Sequence, residues 1–251
     1  MKVALAARAR GAENLDVTTF LPWVARLGYT GVEVGKGVFE NGPGPAQFRS
    51  LAEEAGLEIT TFMGSREMLR DEFEMVVDAC RTLDCAHVVQ AWGPVESAGQ
   101  LREAAAEYDE TGARYREQGL QYCYHNHDHE VGSVFGDRCA LDILLENTSA
   151  ENFKLQVDLG WVSYGGQDPA RFLDEHQGLC PVVHLRDVGD PEERGRWAPI
   201  GQGVLDIPEI VKAALNGGTR WVILEQKALG DLSRDQGIEA CAEYMRQQGL
   251  L

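Results

Sequence analysis

Short apolar runs alternate along this chain with longer segments whose apolar positions recur at three- and four-residue spacing. The first pattern marks buried strands and the second amphipathic helices. The strand-like runs are KVALAA, GVEVG, LEITTFMG, AHVVQAW, LQYCYHNH, FKLQVDLG, PVVHLRDV and RWVILEQ. Between and after them the spacing predicts helices over DVTTFLPWVARLG, GPAQFRSLAEEAG, Met68 to Leu83, Ser97 to Gly119, Ala140 to Asn147, DPARFLDEH, IPEIVKAALNGG and Ser233 to Gln248. The helix ends carry matching chemistry. Asp16 and Asp168 stand where a side-chain oxygen caps the first free N–H groups, Pro169 at a first helical position, and Gly28, Gly56 and Gly119 where a helix must stop.

Strands alternating with helices imply a parallel sheet. Eight such units, at intervals of roughly 30 residues and without a break in composition, predict a single-domain (β/α)8 barrel spanning residues 1–251. The rival arrangement is an open, doubly wound sheet. It would carry a glycine fingerprint after its first strand, and AARARGAEN is not one.

A barrel places its chemistry at the C-terminal ends of its strands. There the chain sets Glu33 and Lys36 on the second strand, His125, Asn126 and His127 on the fifth, Asp158 on the sixth, His184 on the seventh and Glu225 on the eighth. Each has a plain alternative: Asp158 can open a turn before Gly160, and Glu225 can pair with Arg220 or Lys227. Four successive strands ending this way require mutual partners or a cation, because a lone buried carboxylate is costly. Imidazole mixed with carboxylate favours a divalent transition ion (zinc, manganese, cobalt, nickel or iron) over magnesium or calcium. His87, at a strand start, and His176, near a helix end, read as structural; His129 is one register off the inward set and reads as exposed.

The net charge of −17, with 23 basic against 40 acidic residues, offers no surplus for neutralising phosphates and counts against nucleic acid as a partner. Six scattered cysteines without a C-x-x-C pair argue against a disulfide framework or a thiolate zinc site. No apolar run approaches the ~20 residues of a membrane span. MKVALAARAR is too short for a secretory signal, so the expected compartment is the cytoplasm.

Taken together, GYTGVEVG, YHNHDHE, VDLGW, VVHLRD, GQGVLDIPEI and VILEQ resemble the xylose isomerase-like barrels, which include sugar phosphate isomerases/epimerases, ketose 3-epimerases, inosose dehydratases and, more distantly, apurinic-site endonucleases. The resemblance implies one divalent metal on the last four strands. Where the epimerases use Glu, Asp, His and Glu, this chain offers His125, Asp158, His184 and Glu225. His125 or His127 can fill the first place, and we set His125 there with His127 towards the substrate. Trp161 stands where relatives often have His in D-x-G-H, and EQK replaces EQD. The extra histidines of the endonucleases, including an H-x-H pair, are missing from IGQGVLDI.

The activity implied is that of a sugar isomerase or epimerase acting on a keto-sugar or related polyol. Glu225 would be ligand and general base, with His127 and Glu33 orienting hydroxyls or the returning proton. Lys36, Arg186 and Trp197 would complete the substrate pocket, Arg186 either holding an anionic group or pairing with Asp187. The segment DVGDPEERGRWAPIGQG reads as a lid. Because a histidine stands where relatives keep a second carboxylate, a one-sided dehydratase reaction is the runner-up. A non-catalytic carbohydrate-binding barrel, and work as a homo-oligomer or beside a partner subunit, also stay open.

Overall fold

The computed structural model describes residues 1–7, 15–40, 42–226 and 232–251. Eight parallel strands close into a barrel: β1 (Lys2–Ala6), β2 (Gly31–Gly35), β3 (Glu58–Gly64), β4 (His87–Gln90), β5 (Gln121–His125), β6 (Lys154–Asp158), β7 (Val182–Leu185) and β8 (Trp221–Leu224). Each pairs with its neighbours in sequence, and β8 returns to β1 with Ala4 opposite Ile223. The main outer helices are α1 (Val17–Arg26), α2 (Pro45–Glu54), α3 (Phe73–Leu83), α4 (Ala98–Glu117), α5 (Ala140–Glu146), α6 (Pro169–Glu175), α7 (Ile207–Asn216) and α8 (Arg234–Gln247). This is the (β/α)8 barrel that the alternation predicts. Among the described residues no helix is long and apolar enough to cross a membrane.

Because strand side chains alternate in direction, each strand feeds two environments. On β1, Val3 and Leu5 join the large apolar layer under the helices, while Ala4 and Ala6 pack with Val182, Trp221 and Ile223 in a separate inner cluster. On β5, Tyr122 and Tyr124 belong to the layer with Tyr108, Tyr115 and Phe153; their rings lie about 6 Å apart, as aromatic pairs prefer. Cys123 faces the other way, beside Met63 and Val89. His125, two residues on, shares the Cys123 face.

The predicted boundaries hold to within a few residues, with one helix divided. The segment expected as one helix from Met68 to Leu83 is two, Arg66–Asp71 and Phe73–Leu83, because Glu72 leaves helical geometry at φ −102° and ψ 32°. Its carboxylate meets Lys36 Nζ at 3.0 Å instead. Three short helices (Gly37–Glu40, Asp128–Gly132 and Leu159–Tyr164) and two small hairpins (134–139 and 187–198) were not expected. All lie after strand C-termini, where loops vary most and carry function. His87 and His176 are structural, as expected: their Nδ1 atoms donate to the carbonyls of Thr60 and Phe172 at 3.2 and 2.8 Å.

Gly112, in the middle of α4, is a packing requirement. A Cβ there would lie 2.0 Å from the Asn152 carbonyl oxygen, on the segment leading into β6. A Gly→Ala change in a free helix gains about 1 kcal/mol. Here the clash reverses the sign, and Gly112→Ala is expected to lower the free energy of unfolding by about 2 kcal/mol, read as a fall in the urea midpoint. A rise in the midpoint would show that α4 is free to move off the Asn152 backbone.

Candidate metal centre

The inward alternation that buries Ala4 and Ile223 lower in the barrel brings charged groups inward at its C-terminal end. On β6, Gln156 and Asp158 share a face; His184 on β7 and Arg186 just beyond it do too; Glu225 continues the face of Ile223, and Glu33 sits at the irregular pairing between β2 and β3. All are buried: Glu33 is 2% exposed, His125 1%, Gln156, Asp158 and His184 0%, Arg186 3% and Glu225 5%. Among them, His125, Asp158, His184 and Glu225 each offer one ligand atom, and these four atoms lie within 4.8 Å of one another. His127 is outside that set, with its ring centroid 5.2 Å from that of His125.

Each buried charge has partners. Asp158 accepts the Trp161 N–H at 3.0 Å, capping the helix that follows, and Arg186 Nε at 2.8 Å. Glu225 Oε2 accepts a very short bond from Arg186 Nη2 and a 3.2 Å one from His184 Nδ1. Glu33 Oε2 takes three donors: Thr61 Oγ1 and Gln156 Nε2 at 2.6 Å each, and His184 Nε2 at 3.0 Å. His125 Nδ1 lies 3.0 Å from Gln156 Oε1, and its Nε2 lies 3.9 Å from Asp158. Burial works against a charged His184, but the Glu33 and Glu225 carboxylates outweigh it and raise the ring to about 9. Burial pushes Asp158 upward, with Arg186 and His184 pulling the other way.

Arg186 therefore pairs with Asp158 and Glu225, and not with Asp187, the acidic residue next to it in sequence. Two positions beyond His184, it shares that residue's inward face, and Asp187 points elsewhere. The Asp187 carboxylate instead accepts the N–H groups of Val188, Gly201, Gly203 and Leu205, tying down the loop after β7. A Cβ at Gly203 would lie 2.3 Å from that carboxylate, so the glycine lets the loop close on it. Glu225 pairs with Arg186 and His184, not with Arg220; Lys227 lies outside the described residues.

The HNHDHE stretch divides its labour. Asn126 Oδ1 accepts the Asp158 N–H at 2.9 Å and so ties β5 to β6. Asp128 to Glu130 open a short helix, not a loop, because Glu130 turns back to accept the His127 N–H at 2.8 Å. Glu130 is fully buried, held also by Tyr124 Oη at 2.6 Å. His129 is half-buried, not exposed: helical geometry turns it to the Gly93 carbonyl, 3.1 Å away. Over the mouth lie Trp161 and Trp197, ring centroids 4.8 Å apart, with the Arg186 guanidinium 4.8 Å from Trp197. Lys36 is exposed and paired with Glu72; with Glu33, Gly35, Met63, Gly64 and Met68 it lines a cavity of about 330 Å³.

The chain matches the family described as xylose isomerase-like TIM barrel over residues 21–248. It belongs to that family. It is similar to a sugar phosphate isomerase/epimerase from Parabacteroides distasonis at 22% identity, with a TM-score of 0.83 over 98% of this chain and 93% of that one. It is also similar to a D-psicose 3-epimerase solved in the presence of D-fructose (15% identity, TM-score 0.76, covering 99% and 98%). A third such structure is an IolI protein with a bound zinc atom (15%, 0.75, covering 100% and 98%). At these identities the likeness speaks for the fold. No curated protein matches the chain.

Sequence reading did not single out Gln156 or Thr61. The available signal was the alternation itself, since Gln156 lies two residues before Asp158 on one face.

The raised His184 fixes the sign of a pH effect. A group lifted from 6.5 to about 9 stabilises the fold fully below its unfolded value and loses that contribution as pH rises through about 9. Metal-free protein is thus expected to lose roughly 3 kcal/mol between pH 6.5 and 10 in urea unfolding, and His184→Gln to flatten that part of the profile. A flat wild-type profile would contradict a His184 cation held between Glu33 and Glu225. Removing the other cation, by Arg186→Met, is expected to cost about 3 kcal/mol at pH 7 in metal-free protein, because two buried carboxylates lose their shared partner. Unchanged stability in that variant would show that the carboxylates do not depend on it.

Proposed function

We propose that this chain is a divalent-metal-dependent sugar isomerase or epimerase that moves a proton α to the carbonyl of a keto-sugar or related polyol. The observation that carries the reading is the buried set of two imidazoles and two carboxylates at the C-terminal end of the barrel. The donors fit a divalent transition ion: they are mixed nitrogen and oxygen, they include no thiolate, and they converge within coordination reach. His125, Asp158, His184 and Glu225 would hold it. Ligation requires neutral His184, so the ion competes with the proton on that ring and binds more tightly as pH rises. When bound, the ion would polarise the substrate carbonyl and ease loss of the neighbouring proton.

The remaining roles belong to the chain. Glu225 is the general base, its carboxylate oriented by Arg186 and His184. His127, half-buried between the His125 and Trp161 rings, is placed to orient a hydroxyl or return a proton from another side. Trp161 and Trp197 offer apolar faces to the sugar, and Lys36 a donor at the edge of the cavity beside Glu33. The partner implied is a small carbohydrate, a class that agrees with the sugar phosphate isomerase/epimerase and the D-psicose 3-epimerase among the similar structures. A second reading, elimination of water by a dehydratase, is favoured by one observation: His125 replaces the second carboxylate that two-sided proton exchange in the epimerases relies on.

Purified protein is expected to hold about one divalent ion per chain, and Asp158→Ala and His184→Ala to lose it, by elemental analysis. With two imidazoles in the set, cobalt and zinc should be preferred over manganese, and His125→Glu should narrow that preference. In deuterated water, keto-sugars should gain deuterium α to the carbonyl, and Glu225→Gln should slow the exchange by 10²–10⁴-fold. Loss of water without α-exchange into recovered substrate would favour the dehydratase. Failure to bind any ion would remove the metalloenzyme reading in favour of a carbohydrate-binding barrel.

A further inference from the structure

We infer that Gln156 and Glu33 act as a positioning pair, fixing which ring nitrogen of His125 and of His184 is presented to the ion. The inference rests on the reading of the cluster as a metal site and adds the supports that orient its two imidazoles.

An ionised carboxylate only accepts hydrogen bonds. Glu33 Oε2 faces Gln156 at 2.6 Å, so the atom of the Gln156 amide turned towards it is the NH₂ group. The amide oxygen is then the atom 3.0 Å from His125 Nδ1, and that nitrogen must carry the hydrogen. In the neutral ring the lone pair is left on Nε2, on the side of Asp158, 3.9 Å away. The same Glu33 oxygen accepts from His184 Nε2 at 3.0 Å, which leaves Nδ1 of the neutral ring for the ion, on the Glu225 side. One carboxylate oxygen therefore sets both tautomers, one directly and one through the Gln156 amide.

Two consequences follow. On this inference Glu33 acts as a positioning residue: its Oε2 takes three donors, all from buried side chains. Gln156 also answers to the histidine at 125. An amide oxygen at this point needs an N–H opposite it, which the glutamate of the related epimerases would not supply. Supports of this kind typically change metal affinity by about 10- to 100-fold when removed.

The test begins with metal-free wild-type protein and needs no variant: the tautomer of His125 read by ¹⁵N NMR of the histidine rings. Hydrogen on Nδ1 and a lone pair on Nε2 is the expected result; hydrogen on Nε2 overturns the inference. Cobalt titration then compares Gln156→Met, Glu33→Met and Glu33→Gln. The two methionine variants are expected to weaken cobalt by roughly 10- to 100-fold, with His125 in Gln156→Met gaining the Nε2–H tautomer. Glu33→Gln keeps an acceptor oxygen and should bind cobalt more tightly than Glu33→Met, the rescue that a positioning role requires. Wild-type affinity and an unchanged His125 tautomer in Gln156→Met would overturn the inference. So would a Glu33→Gln that binds cobalt no more tightly than Glu33→Met. A wild type with the expected tautomer that binds no cobalt would sink the metal reading and leave the tautomer control standing.

Discussion

Three carboxylates, Glu33, Asp158 and Glu225, are buried at one end of a closed barrel, and the structure around them is built to make that negative charge tolerable. Isolated, each would cost several kcal/mol and would protonate instead. Arg186 bridges two of them, and the protonated His184 bridges Glu33 and Glu225. The proton on His184 is thus the removable part of the arrangement. On the proposed reading, a divalent ion would supply more charge in the same place and would take the position of that proton.

The barrel accounts for how these groups meet. Closure makes residues from β2 and from β5 to β8 neighbours although they are far apart in sequence, and alternation decides which of them point inward. The same alternation sends Tyr122 and Tyr124 outward under α4 and leaves Cys123 and His125 inside. Above the site, the loop after β7 is held from several directions. Asp187 gathers its backbone N–H groups, Tyr164 Oη meets the Asp190, Glu193 and Arg196 carbonyls at 3.1, 3.0 and 2.8 Å, and Arg194 pairs with Asp128. Those anchors bring Trp197 over the charged cluster and shield it from water, which strengthens every interaction beneath.

Most of this fold was legible in the sequence because strands and helices announce themselves by period, and because strand ends in a barrel have one known destination. Asp158, His184 and Glu225 could be picked out for that reason, together with His125 or His127 on the fifth strand, where the family resemblance led us to set His125. What the sequence did not show was pairing. Arg186 had an adjacent acidic residue, Asp187, as its apparent partner, but neighbours on a strand face opposite ways, and its partners come from β6 and from the end of β8. Gln156 carried no charge to draw attention, although it is the residue through which Glu33 reaches His125. His129 was misplaced because strand alternation was extended past the point where Glu130 folds back and starts a helix.

The measurement that bears most directly on this account is a crystal structure grown with cobalt, with anomalous diffraction collected at the cobalt edge. The account predicts a single strong peak among His125 Nε2, Asp158, His184 Nδ1 and Glu225, with Gln156 and Glu33 on the far nitrogens of the two rings. A cluster closed by Arg186 and His184 alone, with the ion elsewhere or held through the opposite ring nitrogens, would contradict it.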